Sequence, residues 1–280
     1  MPTISPEPTP PAPAAPHQYR HVAESFGTNP ERYDRTRPAY PAALINRIVT
    51  ESPGPDLLDV GCGTGIAARQ FREAGCTTLG VEPDARMADF ARRSGIDVEV
   101  ATFEAWDPAG RTFDAIVAGQ AWHWVDPIAG AAKSAQVLRA GGRLAPFWHV
   151  FQLPFGVAQA FAEVYERVIP GSPFNIQPAR GPVLGVYQPI LTKAADGIRA
   201  AGGFTDPEQW RFEWEHYYTR EAWLDQLPSH GPLTQLPPEQ LAQILDGVGA
   251  AIDALGGGFT MPYTTVVVTA TRTAASEVAY

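Results

Sequence analysis

The residues from Leu57 to Phe71, LLDVGCGTGIAARQF, constrain the fold of this chain more than any other segment. An apolar run ends in an acid, passes through a glycine-rich turn and continues directly into a helical pattern. Gly61, Gly63 and Gly65 lack a Cβ and tolerate positive φ, so their backbone can approach a ligand closely. This order of strand, turn and helix predicts a nucleotide-cofactor site at the end of a buried strand.

The spacing of the turn distinguishes between cofactors. A dinucleotide fingerprint reads G-x-G-x-x-G and places a pyrophosphate on a helix N-terminus, whereas this chain reads D-x-G-x-G-x-G. The Asp59 carboxylate would repel a phosphate, but it can pair with the amino group of an amino-acid moiety. Glu82 ends the next apolar run, where α/β nucleotide sites place the carboxylate that binds two ribose hydroxyls. An amino acid joined to a ribose predicts S-adenosylmethionine as the cofactor.

Four segments in this order make the chain resemble a known family: FGTNPERYDRTRPAYP, DVGCGTG, VEPD and FDAIVAGQAWHWVD. The chain resembles the class I S-adenosylmethionine-dependent methyltransferases, in particular the small-molecule group similar to trans-aconitate and ubiquinone/menaquinone-type enzymes. The resemblance spans roughly Phe26 to Arg272. It implies an α/β fold with a doubly wound, mostly parallel, seven-stranded Rossmann-like sheet, and methyl transfer as the activity.

The pattern of apolar runs predicts the same architecture from the residues themselves. Short apolar runs alternate with helical stretches, which is typical of a doubly wound parallel sheet that binds ligands at the carboxyl ends of its strands. The runs are Leu57–Val60, Thr78–Glu82, Val98–Ala101, Phe113–Ala118 and Arg143–Trp148. Gly141 and Gly142 are expected to form the turn into the fifth strand. Tyr263–Thr273 is expected to form a late antiparallel strand.

The outer segments predict further organisation. The proline-rich residues 1–16 are expected to be a disordered tail, and residues 17–280 are expected to form a single domain. Within this domain, residues 19–40 are expected to form a flap over the site. The alternation breaks over about 149–187, which predicts an inserted cap, to which the aromatic segments WRFEWEHYY and EAWLDQLPSHGPL contribute.

Composition limits the classes of partner. The chain has 280 residues and a net charge of −9, which argues against a nucleic-acid substrate, because such proteins need a basic surface. Its two cysteines, Cys62 and Cys76, form no zinc or disulfide pattern and favour the reducing cytoplasm. The sequence contains no long apolar run or signal peptide, so no membrane association is expected. Because neither cysteine lies in a C-x-x-C or in a run with histidines, no metal site is expected either. The sequence leaves open whether the protein forms a homo-oligomer.

The resemblance also implies which residues bind the cofactor. Asp59 and Gly61 would hold its methionine end, Gly63 and Gly65 would give room to the sugar, and Glu82 would take the ribose hydroxyls. Thr102 stands where the family carries an acid that bonds the adenine amino group, so Phe103 packing is expected there instead. The remaining predicted cofactor residues are Tyr33, Arg37, Pro83, Met87 and Gln120.

The predicted chemistry is methyl transfer to an oxygen or carbon of a small, largely apolar acceptor. His123, His149 and Glu166 are the predicted catalytic groups, since imidazole titrates near neutral pH and a carboxylate can stabilise a cation. The predicted substrate-contacting residues are the aromatic side chains Trp122, Trp124, Trp148, Phe161, Tyr165 and Trp210. Two alternatives stay open: C-methylation of an isoprenoid chain or prenyl diphosphate, and a non-catalytic nucleotide-binding or regulatory module of the same fold.

Overall fold

A computed structural model describes residues 25–172 and 183–274, so the predicted tail over residues 1–16 lies outside the described residues. Its centre is one seven-stranded sheet with the strand order β3-β2-β1-β4-β5-β7-β6. Strands β1 to β5 run parallel, and β7 runs antiparallel to both β5 and β6, which confirms the predicted fold class. The strands are β1 (Asp56–Val60), β2 (Thr77–Glu82), β3 (Asp97–Val100), β4 (Phe113–Gly119), β5 (Leu138–Phe151), β6 (Glu208–Thr219) and β7 (Gly258–Thr271).

Helices cover both faces of the sheet and its carboxyl edge. They are α1 (Pro30–Thr36), α2 (Ala42–Thr50), α3 (Ile66–Glu73), α4 (Ala85–Arg93), α5 (Pro127–Val137), α6 (Phe155–Val168), α7 (Leu184–Ala201), α8 (Arg220–Gln226) and α9 (Pro238–Asp253). Short 3-10 turns span Phe26–Thr28, Trp122–Trp124, Leu227–Ser229 and Gly231–Leu233. Within the described ranges, no helix combines the length and apolar character needed to cross a membrane.

The central strands are buried on both faces, which explains their continuous apolar sequence. Alternate side chains of a strand point to opposite faces. Leu58 and Ile116 therefore join a core cluster with α5 and α7, whereas Leu57 and Val117 join a second cluster with α2 and α3. The faces of the sheet are thus covered, and the spaces lined by several residues lie at the carboxyl ends of its parallel strands.

The structure corrects the predicted limits of the fifth strand. Gly141 and Gly142 do not form a turn before it; they lie within β5, where the pairing with β4 shifts and Gly141 has φ +80°. β5 also extends through His149–Phe151, because these residues pair with Thr264 and its neighbours in β7. Residues 149–151 therefore belong to the sheet and not to a cap.

The aromatic segment WRFEWEHYY is likewise part of the sheet. It lies in the edge strand β6, paired along its length with β7. Above the carboxyl edge, Val157 and Val164 of α6 are buried in an apolar cluster with Ile244 and Val248 of α9 and Trp223 of α8. Val157 and Val164 lie on one face of α6 and form its apolar stripe together with Phe161 and Val168.

Candidate active site

The glycine turn after β1 adopts a backbone that requires glycine. Gly61, Gly63 and Gly65 have φ of +65°, +55° and +87°. A Cβ on Gly61 would lie 2.6 Å from the Cβ of Ala121, so this position also lets two strand ends approach each other. By contrast, a Cβ on Gly63 would meet only the Met87 Cε within 4 Å, at 3.6 Å. The backbone at Gly63 therefore faces open space.

Glu82 connects the glycine turn to the loop after β2. Its Oε2 accepts a hydrogen bond from the Gly63 N–H at 2.9 Å, and its Oε1 accepts one from the Asp84 N–H, also at 2.9 Å. Burial raises the pKa of Glu82 to about 7, although these two N–H donors lower it. The carboxylate keeps lone pairs on both oxygens, so it can accept further bonds from ligand hydroxyls.

Asp59 is a buried carboxyl whose oxygens lack hydrogen-bond partners. It is 1% exposed at the end of β1, and both Oδ atoms are unpaired within the described ranges. Burial and then the neighbouring Glu82 raise its pKa to about 8, and the Ala68 amide at the start of α3 lowers it. A cationic group brought to this place would relieve the cost of a buried, unpaired charge.

A narrow cleft runs across the ends of β1, β2 and β4. It is lined by the ends of β1, β2 and β4, by residues that follow β1 to β4, and by two side chains from the start of the described chain: Phe26, Tyr33, Val60, Gly61, Gly63, Val81, Glu82, Pro83, Asp84, Met87, Thr102, Phe103, Glu104, Gly119, Gln120, Ala121, Trp124 and Val125. We call this space the nucleotide cleft. Most of the predicted cofactor residues therefore come together in it, although Asp59 lies beneath the turn and Gly65 lies buried at the start of α3.

A second, larger cavity of about 420 Å³ adjoins the nucleotide cleft. We call it the aromatic cavity, since its lining is Phe26, Tyr33, Arg37, Pro38, Tyr40, Ile66, Gln120, His123, Trp124, Trp148, His149, Phe151, Val186, Tyr187, Ile190, Gln226, His230 and Tyr263. The two spaces share Phe26, Tyr33, Gln120 and Trp124. Gln120 has φ +57°, a left-handed conformation that is uncommon for a residue other than glycine and is often found at functional sites.

His123 lies on the wall of the aromatic cavity with one ring nitrogen occupied. The Trp148 Nε1–H donates to its Nδ1 at 3.1 Å. Burial lowers the pKa of His123 to about 4, so the ring is neutral at pH 7. With Nδ1 accepting, the proton of the neutral ring resides on Nε2.

His149 stacks on Tyr40 at a ring-centroid distance of 4.6 Å, and its Nδ1 lies 2.9 Å from the Thr265 Oγ1. Burial, followed by the Arg37 charge, lowers its pKa to about 3, while the Pro38 carbonyl raises it. His149 is therefore also neutral. Its place at the cavity wall results from the β5–β7 pairing, which sets it opposite Thr265.

Arg37 lies in the aromatic cavity and not in the nucleotide cleft, where the resemblance had placed it. Its Nη2 donates to the Ser229 carbonyl at 2.6 Å, and its guanidinium carbon lies 5.0 Å from the centre of the Tyr33 ring. The buried Nε has no hydrogen-bond partner within the described part of the chain. Arg37 is the one cationic side chain among the described residues that line this cavity.

Several predicted residues lie away from both spaces. Glu166 is exposed on α6, where its Oε1 faces only the Gly171 N–H at 3.5 Å, because the apolar stripe of α6 turns its carboxylate to solvent. Phe161 and Tyr165 pack in the cluster between α6 and α9. Trp210 is buried in the core beside α2, with the Arg47 guanidinium 3.8 Å from its ring. Trp122 lies behind the cavity wall, in a smaller pocket with Trp148.

Other residues that line the aromatic cavity were not predicted from the sequence. Tyr40 lies within the quoted FGTNPERYDRTRPAYP segment, so that segment carried a signal for it, and Tyr263 begins the predicted last strand. Phe151, Tyr187, Ile190, Gln226 and His230 have no pattern in the sequence that separates them from core residues. Among the described residues, no group of three or more His, Cys, Asp or Glu is placed to hold a metal ion.

Comparisons with known proteins identify the class of enzyme to which this fold and site correspond. A sequence profile of a methyltransferase domain matches residues 33–164. An uncharacterized methyltransferase of Mycobacterium tuberculosis is 29% identical over 260 residues, covering 90% of this chain and 97% of the relative. A ubiquinone biosynthesis O-methyltransferase of Methylocella silvestris is 34% identical over 96 residues, which are 32% of this chain and 38% of the relative.

A solved structure shares the fold. The protein from Anaeromyxobacter dehalogenans, assigned as a type II methyltransferase, superposes with a TM-score of 0.59 at 22% identity, covering 83% of this chain and 97% of that one. The chain therefore carries a methyltransferase domain, and the matched profile, the relatives and the shared fold support a class I S-adenosylmethionine-dependent enzyme.

Proposed function

We propose that this enzyme transfers a methyl group from S-adenosylmethionine, bound in the nucleotide cleft, to an oxygen or carbon of a small, largely apolar metabolite bound in the aromatic cavity. One observation carries the proposal: the cleft and the cavity share a wall formed by Phe26, Tyr33, Gln120 and Trp124. Ligands that fill the two spaces would meet at this wall, which is the arrangement that a direct transfer requires.

The residues of the cleft fit S-adenosylmethionine. The unpaired Asp59 oxygens suit its amino group, and the Glu82 carboxylate suits two ribose hydroxyls. The open space at Gly63 gives room to the sugar, and Met87 and Phe103 offer apolar surface to the adenine ring. When bound, this cofactor supplies an electrophilic methyl group on a sulfonium centre.

The protein's own contribution is to position the acceptor and keep water out. Tyr33 and Trp124 place aromatic faces at the shared wall, where they would attract a cation. The segment from Phe26 to Tyr40 covers both spaces, so it can seal them from solvent. Alignment of this kind accounts for much of the rate of a simple displacement.

The lining of the aromatic cavity supports a small apolar acceptor. Aromatic and aliphatic side chains form most of its surface, and Arg37 is its one cation among the described residues. A prenyl diphosphate would call for several basic side chains, so the cavity favours an acceptor with less charge. The buried free thiols of Cys62 and Cys76 support the reducing cytoplasm as the location.

Calorimetry with S-adenosylhomocysteine tests the cofactor part of the proposal. Glu82→Ala should weaken binding about hundredfold or more, because it removes charged hydrogen bonds worth about 1.5–3 kcal/mol each. Asp89→Ala, which changes a carboxylate exposed on α4, should bind like the unaltered protein. Absence of binding to the unaltered protein, or equal binding to Glu82→Ala, would contradict the proposed site. A screen of candidate acceptors is the next experiment, with the release of S-adenosylhomocysteine as its readout.

A further inference from the structure

We propose that two copies of this chain pair along the outer edge of β6, antiparallel and related by a two-fold axis, with Phe212 lying opposite Phe212 of the partner subunit. No residue of β6 lines the nucleotide cleft or the aromatic cavity, so this inference does not depend on the proposed function. It names one arrangement for the homo-oligomer that the sequence leaves open.

The strand β6 forms one edge of the sheet. It is 12 residues long and pairs with β7 along its length, but it is the last strand in the order. Within the described ranges, no backbone hydrogen bond joins residues 209–217 to any element other than β7. A long edge strand presents a row of N–H and C=O groups to which a further strand can bind. The backbone of β6 can therefore accept a second copy of itself.

One face of β6 carries exposed charges. Arg211, Glu213 and Glu215 occupy alternate positions, so their side chains point to the same face of the strand. None of the ion pairs among the described residues includes any of the three. Charged side chains on an edge strand normally prevent pairing, because like charges that lie opposite each other repel. The order of these charges therefore decides which register β6 accepts.

One register turns this repulsion into attraction. With Phe212 at the two-fold axis, Arg211 lies opposite Glu213 of the partner subunit, and symmetry forms the same ion pair a second time. Moving the axis by one residue in either direction would place Arg211 opposite another Arg211, or Glu213 opposite another Glu213. The pairs that face each other in the proposed register are Glu208 with His216, Gln209 with Glu215, Trp210 with Trp214, Arg211 with Glu213, and Phe212 with Phe212.

The opposite face of β6 is aromatic, and the same register extends it. Trp210 is 3% exposed, whereas Phe212 and Trp214 are half-buried. Phe212 packs at the margin of the core cluster beside α2, and the Trp214 ring stacks on Tyr263 at a centroid distance of 4.3 Å. A second copy would place its own aromatic row beside Phe212 and Trp214 and bury more of their surface. Apolar burial and the two ion pairs therefore favour the same register.

Charge reversal tests the two ion pairs. Sedimentation equilibrium of the full chain at micromolar concentration should give twice the 30.2 kDa mass of one chain. Arg211→Glu and Glu213→Arg should each raise the dissociation constant at least about tenfold, because each variant sets like charges opposite each other twice. The double variant Arg211→Glu/Glu213→Arg exchanges the charges and should recover the dimer. An equimolar mixture of the two single variants should also recover it, as a dimer of unlike chains.

Two matched controls lie at the other edge of the sheet. Arg93→Glu and Asp89→Arg change exposed residues of α4, which packs against β3, and they alter the net charge by the same amounts. Both should leave the dissociation constant within about twofold of the unaltered protein, because charges away from an interface contribute little to it. Circular dichroism and thermal melting show whether each variant keeps its fold.

A disulfide locates the axis. Residues opposite each other in an antiparallel pair have Cα atoms about 4.5–5.5 Å apart, a distance that a disulfide can bridge. Phe212→Cys should therefore link two copies under mild oxidation, whereas Glu215→Cys, farther from the axis on the same strand, should not. Cys62 and Cys76 are buried and do not compete. The proposal is overturned if the protein is a monomer at micromolar concentration, if the single charge reversals leave a dimer unchanged, or if Glu215→Cys links as readily as Phe212→Cys.

Discussion

The nucleotide cleft and the aromatic cavity adjoin, yet they are built in different ways. At the centre of the cleft, the glycine turn after β1 meets the carboxylate that ends the neighbouring strand β2, and a direct hydrogen bond links Gly63 to Glu82. The cavity is made by side chains from distant parts of the chain, such as Arg37, His149 and His230. A cofactor site can therefore be preserved by a few local residues, whereas the acceptor site depends on how remote elements pack.

The first prediction concerns the acids of the cleft and has the largest expected effect. The raised pKa values of Asp59 and Glu82, about 8 and about 7, mean that the free protein holds protons there near neutral pH. A cationic amino group needs an ionised carboxylate, so cofactor affinity should rise with pH, by up to about tenfold per unit between pH 6 and 8. Isothermal calorimetry with S-adenosylmethionine across this pH range measures the affinity. An affinity that does not change with pH would contradict the pairing of the cofactor's amino group with these carboxylates.

The same acids predict the pH dependence of stability in the free protein. Their pKa values are raised above those of the unfolded chain, so the folded state binds more protons between about pH 4 and about pH 8. Stability should therefore fall as pH rises through this window. Asp59→Asn should flatten part of this fall and raise the melting temperature at pH 8, by about 2–4 °C for each kcal/mol relieved. Asp89→Asn, exposed on α4, is the matched control.

The second prediction separates the two regions at their shared wall. Trp124→Ala should weaken both cofactor and acceptor binding, each by about tenfold, because Trp124 lines both spaces. Phe151→Ala should weaken acceptor binding by a similar factor and leave cofactor affinity unchanged, since Phe151 lines only the cavity. Calorimetry with S-adenosylhomocysteine and with an acceptor found in the screen measures the effect of each variant on the two ligands. Equal effects of Phe151→Ala on both ligands would show that the two regions are not separate.

The third prediction expects almost no effect. Glu166→Gln removes a carboxylate that is exposed on α6, so kcat/KM should stay within about twofold of the unaltered enzyme. Glu163→Gln, another exposed change on the same helix, provides the comparison. A loss of tenfold or more for Glu166→Gln alone would restore the catalytic role that the sequence suggested for it.

The cleft was largely predictable from the sequence because its geometry is local. The glycines need positive φ, and the two acids follow buried strands, so their types and spacing carry the information. Gln120 and Phe103 follow strands in the same way. The fold could be predicted for a related reason, since the burial of the central strands on both faces leaves a continuous apolar pattern.

The cavity was less predictable because pairing between distant segments creates it. His149 reaches the wall because β5 extends to pair with β7, an extension that depends on Thr265 and its neighbours more than a hundred residues later. Trp210 is aromatic and lies in a predicted strand pattern, yet in β6 it stands opposite Val267, and its side chain packs in the core beside α2. The hydrogen bonds of His123 and His149 are similarly invisible in the sequence, because each joins a histidine to a residue of a separate element.

The wall shared by Phe26, Tyr33, Gln120 and Trp124 has a kinetic consequence. The Tyr33 ring lies 6.1 Å from that of Phe26, which in turn lies 6.5 Å from that of Trp124, so these three side chains settle as one unit. A cofactor that orders this unit from the cleft side completes the surface that the acceptor meets on the other. We therefore expect the cofactor to bind first, and each bound ligand to slow the departure of the other.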